Sequence, residues 1–159
     1  TEDGYLKTGD RGELDDHERL KITGRVKELF KTSGGKYVAP APIENLLNSC
    51  PIVELSCISG LGRPACYGLV VLSDEHRLAL DQKNTKDRAH QKLLDLLDNT
   101  NEKLEHHEKI RFLVVVKDEW RIDNEYLTPT MKISRSAIEE SYSPKIESWY
   151  ESQQEIIWE

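Results

Sequence analysis

The sequence predicts an α+β fold in which helices flank a small β-sheet. Two segments rich in β-branched residues, 52–59 and 65–72, are separated by a glycine-containing turn and predict a β-hairpin. Residues 109–117 contain an uninterrupted apolar run, which is typical of a strand buried on both faces. Apolar residues at helical spacing over residues 87–104 predict a long amphipathic helix. Strands and helices in this arrangement indicate one small sheet covered by helices.

The first part of the chain is predicted to be a polar β-hairpin. Residues 5–10 and 20–23 are its arms, and the polar residues 15–18 form the bend. A charged strand over residues 24–31 is expected to follow. So short a hairpin is marginally stable unless another part of the protein covers it.

A glycine pair and a proline-rich segment organise the next stretch. Gly34 and Gly35 must form a turn, because adjacent glycines allow positive φ and leave the backbone bare. Residues 36–38 then continue in an extended path. Pro42 suits the first position of a helix whose apolar face begins with Ile43.

The C-terminal half alternates irregular and helical segments. Residues 73–86 are predicted to be a loop with a short helical turn, and residues 120–131 are predicted to be irregular. A short helix over residues 134–141 precedes a last helix, capped at residues 143–144, that carries aromatic residues and Ile157. This last helix is also acidic, so we expect it to pack within the protein, with membrane contact at most peripheral.

Composition and charge limit the classes of function. The chain has 159 residues, 37% of them hydrophobic, which suffices for one domain, or for one domain and a remnant of another. Its 22 basic and 29 acidic residues give a net charge of −7, which argues against a nucleic-acid-binding surface. No apolar run approaches the ~20 residues that span a bilayer. Because the chain begins at Thr1 and already inside a motif, we interpret it as a piece of a longer protein.

The cysteines and histidines predict no metal site. Cys50, Cys57 and Cys66 have neither metal-ligand spacing nor an even count. We expect free, buried thiols in a reducing compartment, and therefore a cytoplasmic protein. The pair His106 and His107 is interpreted as part of a solvated turn, and no histidine is assigned a role.

Three motifs occur in a defined order along the chain. Residues 5–10 read Tyr-Leu-Lys-Thr-Gly-Asp, and residues 127–132 read Leu-Thr-Pro-Thr-Met-Lys. Between them, residues 23–44 contain a Gly-Arg-x-Lys-Glu segment, the glycine pair and a Pro-x-x-Ile-Glu helix start. Together these motifs resemble those of the adenylate-forming enzymes, and of the acyl-CoA synthetases in particular. The resemblance covers most of the chain.

One position indicates a branch of that family. Met131 stands where many members have a glycine, so the last motif looks like that of the long-chain fatty acyl-CoA synthetases. Ser134 is a departure, because that branch often carries a second basic residue there. The departure puts a peripheral phosphate contact in doubt.

The resemblance implies an enzyme domain and its substrates. Residues 1–26 would be the terminal hairpin of a large N-terminal domain, and residues 27–159 the C-terminal lid domain of a long-chain fatty acid–CoA ligase. The substrates would be a fatty acid, ATP and coenzyme A. Mg²⁺ is expected in the full enzyme, with ligands outside this chain, and this segment alone is expected to be inactive.

The resemblance also implies roles for individual residues. Lys132 would be the catalytic lysine, contacting the substrate carboxylate and the nucleotide. Asp10 would bind both ribose hydroxyls, and Arg25 would also contact the nucleotide. Lys27 lies at the hinge position, where changed backbone torsions would let the lid present one face for adenylation and another for thioester formation.

The resemblance also implies a role for the glycine pair, and two alternative functions remain open. Gly34 and Gly35 would let the pantetheine arm of coenzyme A pass close to the backbone. One alternative is an adenylation domain that acts on another carboxylic acid or serves a carrier protein. A second is a non-catalytic α+β interaction domain, for which Asp10, Arg25 and Lys132 would face unrelated surfaces.

Overall fold

A four-stranded mixed sheet forms the centre of the fold. The computed structural model describes residues 2–80 and 83–159. In the sheet, β5 (Val53–Ser59) pairs antiparallel with β6 (Cys66–Leu72), which confirms the predicted hairpin. The strand β7 (Ile110–Val115) pairs parallel with β6, and β8 (Ile156–Trp158) pairs parallel with β7. The strand order is β5-β6-β7-β8, so β7 is interior, as its apolar run predicts.

Helices cover both faces of this sheet. On one face lie α1 (Pro40–Asn48) and α3 (Lys83–Asn101), whose apolar side chains pack into one buried cluster. On the other face lie α4 (Arg135–Tyr142) and α5 (Ile146–Glu151), which build a second, more aromatic cluster. All residues of β6 are buried, because both faces of that strand are covered. This arrangement confirms the predicted α+β class.

Shorter elements join the sheet and its helices. The two-stranded hairpin of β1 (Asp10–Leu14) and β2 (Leu20–Arg25) precedes a 3₁₀ helix, Val26–Glu28. A second small hairpin contains β3 (Phe30–Lys31) and β4 (Tyr37–Val38). The remaining elements are α2 (Asp74–Leu78), a 3₁₀ helix Ser143–Lys145 and a bridge between Leu127 and Ile133.

The prediction that residues 5–10 form the first strand of the hairpin is wrong. The strand begins only at Asp10, because Gly9 has a positive φ of 81° and interrupts an extended path. The predicted bend is correct. The Asp15 carboxylate accepts hydrogen bonds from the backbone amides of His17 and Arg19, both at 2.9 Å, and this closes the turn.

The prediction of a single strand over residues 24–31 is also wrong. The chain leaves β2 after Arg25, forms the 3₁₀ helix and only then enters β3. Helix α1 begins at Pro40 rather than Pro42; both prolines lie in its first turn, where the missing N–H groups have no intrahelical role. Helix α3 begins at Lys83, earlier than predicted, inside the segment expected to be a loop.

The last helix is shorter than predicted, and Ile157 does not belong to it. Helix α5 ends at Glu151, and Gln153 adopts a left-handed conformation with φ 57°, which stops the helix. Ile157 instead lies in β8 and is buried. Trp149 and Tyr150 are buried in the second cluster, which confirms that this helix packs within the domain. Within the described residues, no helix is both long enough and apolar enough to cross a bilayer.

Candidate functional site

Asp10 and Arg25 face each other across the N-terminal hairpin. They are register partners in β1 and β2, and the Arg25 Nε lies 3.4 Å from the Asp10 Oδ1. The Thr8 hydroxyl accepts a hydrogen bond of 3.2 Å from the Asp10 backbone N–H. The Asp10 side chain is 33% exposed and that of Arg25 is 60% exposed. A carboxylate and a guanidinium are therefore displayed together at the end of the hairpin, within reach of one ligand.

Lys27 follows directly after this pair. It is the middle residue of the 3₁₀ helix Val26–Glu28, and its side chain is exposed. The Val26 N–H donates to the Gly9 carbonyl at 2.9 Å, which ties the start of this helix to the hairpin. Lys27 also lines a cleft of about 360 Å³ together with Ser134 and neighbouring residues. The predicted hinge position therefore borders the C-terminal end of the loop that carries Lys132.

Lys132 lies on a closed loop between Leu127 and Ile133. The Thr128 N–H donates to the Lys132 carbonyl at 2.8 Å, and the Lys132 N–H donates to the Thr128 hydroxyl at 3.1 Å. Met131 has a positive φ of 60°, which completes the tight turn. The Lys132 side chain is exposed, and among the described residues no carboxylate forms a salt bridge with it. The loop thus carries an exposed cation on a backbone that two hydrogen bonds to Thr128 hold in place.

Gly34 and Gly35 form the predicted tight turn between β3 and β4. The Gly35 N–H donates to the Thr32 carbonyl at 2.9 Å, and the φ of Gly35 is 79°, a conformation that favours glycine. A Cβ atom added at Gly34 would meet only the Thr32 hydroxyl, at 3.8 Å. The Ser33 N–H donates to the Arg63 carbonyl at 2.9 Å, which fixes the turn on the domain. Both glycines are exposed, so the turn offers an open stretch of backbone.

A basic cleft adjoins this glycine turn. It has a volume of about 510 Å³ and is lined by Gly34 and by backbone and side chains near the start of β6 and β7. Its ionisable lining residues are all basic: Lys36, His106, His107, Lys109 and Arg111. In a chain with a net charge of −7, a cleft without an acidic lining residue is electrostatically suited to an anion.

The sequence predictions missed this cleft. The histidine pair does lie in a turn, as predicted, but that turn forms part of the cleft wall. A signal was present, because Lys109 and Arg111 alternate with buried residues at the start of a strand. The pairing of β7 with β6 shifts register between Ile110 and Leu113, however, so strand alternation alone does not place both side chains on one side.

A buried ion pair between Glu44 and Arg135 was also missed. The Arg135 Nη1 and Nη2 lie 2.8 Å and 3.1 Å from the two Glu44 carboxylate oxygens. The Glu44 and Arg135 side chains are only 9% and 14% exposed. Burial opposes the charge of Arg135, but the Cys57 sulfur and the Glu44 carboxylate raise the pKa of the guanidinium above its ordinary value. Glu44 is the last residue of the Pro-x-x-Ile-Glu motif, so that motif supplies one partner of this buried ion pair. We call the pair of Glu44 and Arg135 the anchor.

The three thiols are free, as predicted, but only two are buried. Burial raises the pKa of Cys57 to about 12, and it raises that of Cys66 to about 12 as well. Cys50 is half-buried. Within residues 2–80 and 83–159, no group of His, Cys, Asp and Glu side chains is arranged to hold a metal ion.

The fold and the order of these motifs point to a C-terminal domain of the adenylate-forming class. The family model described as the AMP-binding enzyme C-terminal domain matches residues 28–154. The chain therefore belongs to this family.

Similar proteins carry names that agree with this assignment. The long-chain-fatty-acid–CoA ligase FadD15 of Mycobacterium tuberculosis is 33% identical over 161 residues, covering 93% of this chain and 27% of that protein. The long-chain-fatty-acid–CoA ligase 6 of Mus musculus is 30% identical, covering 93% of this chain and 23% of that protein. The chain thus spans about a quarter of the length of these relatives.

Solved structures share the fold. The adenylation domain of a carboxylate reductase from Mycobacterium chelonae aligns with a TM-score of 0.78 at 24% identity, over 94% of this chain and 24% of that one. The A-PCP didomain of a carboxylic acid reductase from Segniliparus rugosus, in complex with AMP, gives 0.74 at 25% identity, over 94% and 21%. A fatty acyl CoA synthetase from Mycobacterium tuberculosis gives 0.58 at 23% identity, over 89% and 25%.

Proposed function

We propose that the protein containing this domain is an AMP-forming long-chain fatty acid–CoA ligase. In the first half-reaction a carboxylate oxygen attacks the α-phosphorus of ATP, and the bond to the β-phosphate breaks to release pyrophosphate. In the second, the thiol of coenzyme A attacks the acyl carbonyl, loses its proton and displaces AMP. Mg²⁺ would accompany ATP through ligands outside this chain. The names of the relatives support the substrate class.

In this proposal Lys132 serves the first half-reaction. Negative charge moves onto phosphate and carboxyl oxygens, and a cation at about 4 Å from an anion gains roughly 4 kcal/mol at an effective dielectric of 20. The exposed Lys132 ammonium on its closed loop suits that role, since no described carboxylate neutralises it. Asp10 and Arg25 would hold the ribose and phosphate oxygens of the nucleotide. Their contact at 3.4 Å supports a shared ligand.

The second half-reaction would use a different set of residues, those of the glycine turn and of the basic cleft beside it. The exposed turn of Gly34 and Gly35 would admit the pantetheine arm, because it places no side chain in the path. The basic cleft beside it supports coenzyme A as the acceptor, since coenzyme A carries a diphosphate and a 3′-phosphate. This cleft is the observation on which the choice of acceptor depends. It shares no lining residue with the cleft beside Lys27 and Ser134.

The proposed domain organisation gives the hairpin a covering partner. Leu14 pairs with Leu20, and Ile22 lies on the same face, whereas Glu13 and Lys21 form an ion pair of 3.3 Å on the other. The three apolar side chains are 68%, 66% and 59% exposed. An apolar face of this kind supports residues 1–26 as part of the large N-terminal domain, which would cover it. The lid would then be residues 27–159, inactive alone.

A location in the cytoplasm follows from the same proposal. The three free thiols support a reducing compartment. Burial of Trp149 and Tyr150 leaves the last helix without an aromatic surface for lipid, which supports membrane contact that is at most peripheral.

A carrier protein is the second candidate acceptor. The didomain structure named above joins an adenylation domain to such a partner, and its fold is similar to that of this chain. A carrier presents the same pantetheine arm on a single phosphodiester and lacks the adenosine 3′-phosphate, so it offers the basic cleft fewer phosphate groups than coenzyme A does. A non-catalytic interaction domain is disfavoured, because the chain belongs to the AMP-binding family. Of the three residues that it would place on unrelated surfaces, Asp10 and Arg25 lie together.

The full-length protein tests this proposal directly. With a long-chain fatty acid and ATP, we expect release of pyrophosphate, followed by acyl-CoA and AMP when coenzyme A is added. Replacing coenzyme A with a pantetheinylated carrier protein should give little product. The combined substitution Lys109→Ala and Arg111→Ala should raise the KM for coenzyme A by about 10- to 100-fold, because charge-assisted contacts are lost. An unchanged KM, or preference for the carrier, would contradict the choice of coenzyme A.

A further inference from the structure

We propose that Arg135 positions Lys132 through its buried ion pair with Glu44. The inference rests on the proposed role of Lys132 in adenylation and identifies what holds its loop in place. Arg135 is thus a positioning residue, since it acts on the reaction through Lys132.

The ion pair occupies the open edge of the central sheet. Strand β5 is an edge strand, so one side of its backbone has no neighbouring strand. On that side the Ile58 N–H donates to the Glu44 Oε1 at 2.8 Å, and the Ile58 carbonyl accepts from the Arg135 Nη1 at 2.7 Å. The two side chains therefore satisfy both backbone groups of Ile58, as a further strand would. This fixes the guanidinium relative to the sheet.

The geometry of the pair requires an arginine. Both terminal nitrogens contact Glu44, and Nη1 also bonds the Ile58 carbonyl and contacts the Cys57 sulfur at 3.2 Å. A planar guanidinium makes these contacts simultaneously, whereas the point charge of a lysine cannot. Because the pair is buried, removing either partner leaves a charge without compensation.

A short, doubly tied backbone links this anchor to Lys132. Arg135 is the first residue of α4 and lies three residues after Lys132, a distance of at most about 10 Å along the chain. Between them, Ile133 forms the bridge to Leu127, and the Ser134 N–H donates to the Tyr126 carbonyl at 2.8 Å. A displacement of Arg135 must therefore move the base of the loop.

The same anchor borders the predicted hinge. Glu28, which follows Lys27, lines the 360 Å³ cleft together with Arg135. Its carboxylate also contributes to raising the pKa of the Arg135 guanidinium. The hinge segment and the residues at the base of the Lys132 loop thus line the same cleft.

Substitution of the pair separates positioning from general stabilisation. In the full-length enzyme, Arg135→Lys and Glu44→Gln should each lower kcat for ATP–pyrophosphate exchange by about 100-fold, because a displacement of about 1 Å at a reacting group has that effect. The KM for ATP and thioester formation from supplied acyl-adenylate should change by less than about 3-fold. A pair that only stabilises the fold would impair both half-reactions equally, and that result would overturn the proposal.

Arg19→Lys is the matched control. It replaces another arginine that contacts a carboxylate, with the Arg19 Nε 2.7 Å from the Asp15 Oδ2, but this ion pair lies on the exposed surface at the bend of the hairpin. We expect unchanged ATP–pyrophosphate exchange for this variant, because exposed ion pairs contribute little. A loss equal to that of Arg135→Lys would show that the effect is not specific to the anchor and would overturn the proposal.

A double substitution tests whether Arg135 acts through Lys132. If it does, Lys132→Ala combined with Arg135→Lys should lose no more exchange activity than Lys132→Ala alone. Losses that multiply would overturn the proposal. Unchanged exchange in Lys132→Ala itself would instead refute the proposed function of Lys132, so the two failures are distinguishable.

Hydrogen exchange gives a reading that does not depend on activity. In Glu44→Gln, the backbone amides of residues 127–134 should exchange faster while those of β6 and β7 stay protected. Unchanged exchange over residues 127–134 would overturn the proposal.

Discussion

Asp10 and Arg25 are the two residues that we propose to bind the nucleotide. Their ion pair is partly exposed, and its Nε–Oδ1 distance of 3.4 Å is longer than that of a strong charge-assisted bond. Such a pair has little stabilising effect of its own. We therefore expect substitution of Asp10 to affect nucleotide binding far more than folding.

Asp10→Ala should raise the KM for ATP in the full-length enzyme by about 10- to 100-fold. Hydrogen bonds to a charged group contribute about 1.5–3 kcal/mol each, and the proposed ribose contact would be lost. Steady-state kinetics measure this change. Asp16→Ala, at the exposed bend of the same hairpin, is the matched control and should leave the KM unchanged. An unchanged KM in Asp10→Ala would exclude the ribose contact.

The three thiols should differ in reactivity. At pH 8 we expect an alkylating reagent to label Cys50 in the native protein and to label Cys57 and Cys66 only after unfolding. Burial holds the pKa of the latter two at about 12, and the thiolate is the reactive form. Peptide mass spectrometry of protein labelled with and without urea measures this. Labelling of Cys57 as fast as Cys50 in the native state would be inconsistent with its burial.

At the scale of elements, the 3₁₀ helix Val26–Glu28 is where a hinge can act without disturbing the core. None of its residues is buried, and it joins the hairpin to the covered part of the domain. The chain contains a second 3₁₀ helix, Ser143–Lys145, whose middle residue is Pro144. A proline is therefore compatible with the middle position that Lys27 occupies.

Lys27→Pro should retain ATP–pyrophosphate exchange or thioester formation, but not both. Proline restricts φ to about −65°, so the backbone can no longer change its torsion between the two lid orientations. Measuring each half-reaction in the full-length enzyme tests this, with Lys27→Ala as a control that should keep both. Two unimpaired half-reactions in Lys27→Pro would argue against a hinge at this position.

Elements with strong local patterns were predictable, and those set by tertiary contacts were not. The apolar run of β7 and the helical spacing of apolar residues in α3 indicate the type of element, because each pattern determines which side chains can be buried. Strand β8 has only three residues, follows the left-handed Gln153, and is defined by its pairing with β7. The departure from β2 after Arg25 likewise has no strong signal in the residues themselves. Short elements of this kind depend on their neighbours.

At the scale of the whole molecule, the hairpin has one face that the proposed N-terminal domain would cover. One of its faces is charged and the other is apolar and exposed. Three exposed apolar side chains on one face favour burial against a partner. The proposed division at residue 26 places that partner in the N-terminal domain.

Leu20→Gln should lower the melting temperature of the full-length protein and leave that of residues 1–159 unchanged. Burial of a leucine stabilises by about 1.5–3 kcal/mol, and this contribution exists only where the face is covered. Lys21→Gln, on the charged face, is the matched control and should change neither. Equal melting temperatures for Leu20→Gln and wild type in the full-length protein would argue against the proposed domain boundary.

The candidate site was predictable where it depends on residue type and order. Gly35 has the positive φ that its turn requires, and Lys132 lies on a loop between a buried strand and a helix. The basic cleft and the anchor of Arg135 depend on contacts between segments far apart in the chain. Glu44 and Arg135 are separated by 91 positions, so no local pattern connects them.

The central claim is that two surfaces of one lid serve two half-reactions. The most direct test measures both half-reactions in Lys132→Ala and in Gly34→Leu, the second of which adds bulk where the backbone leaves room for it. Lys132→Ala should nearly abolish ATP–pyrophosphate exchange and largely spare thioester formation from supplied acyl-adenylate, and Gly34→Leu should do the reverse. Equal loss of both half-reactions in each variant would contradict the claim.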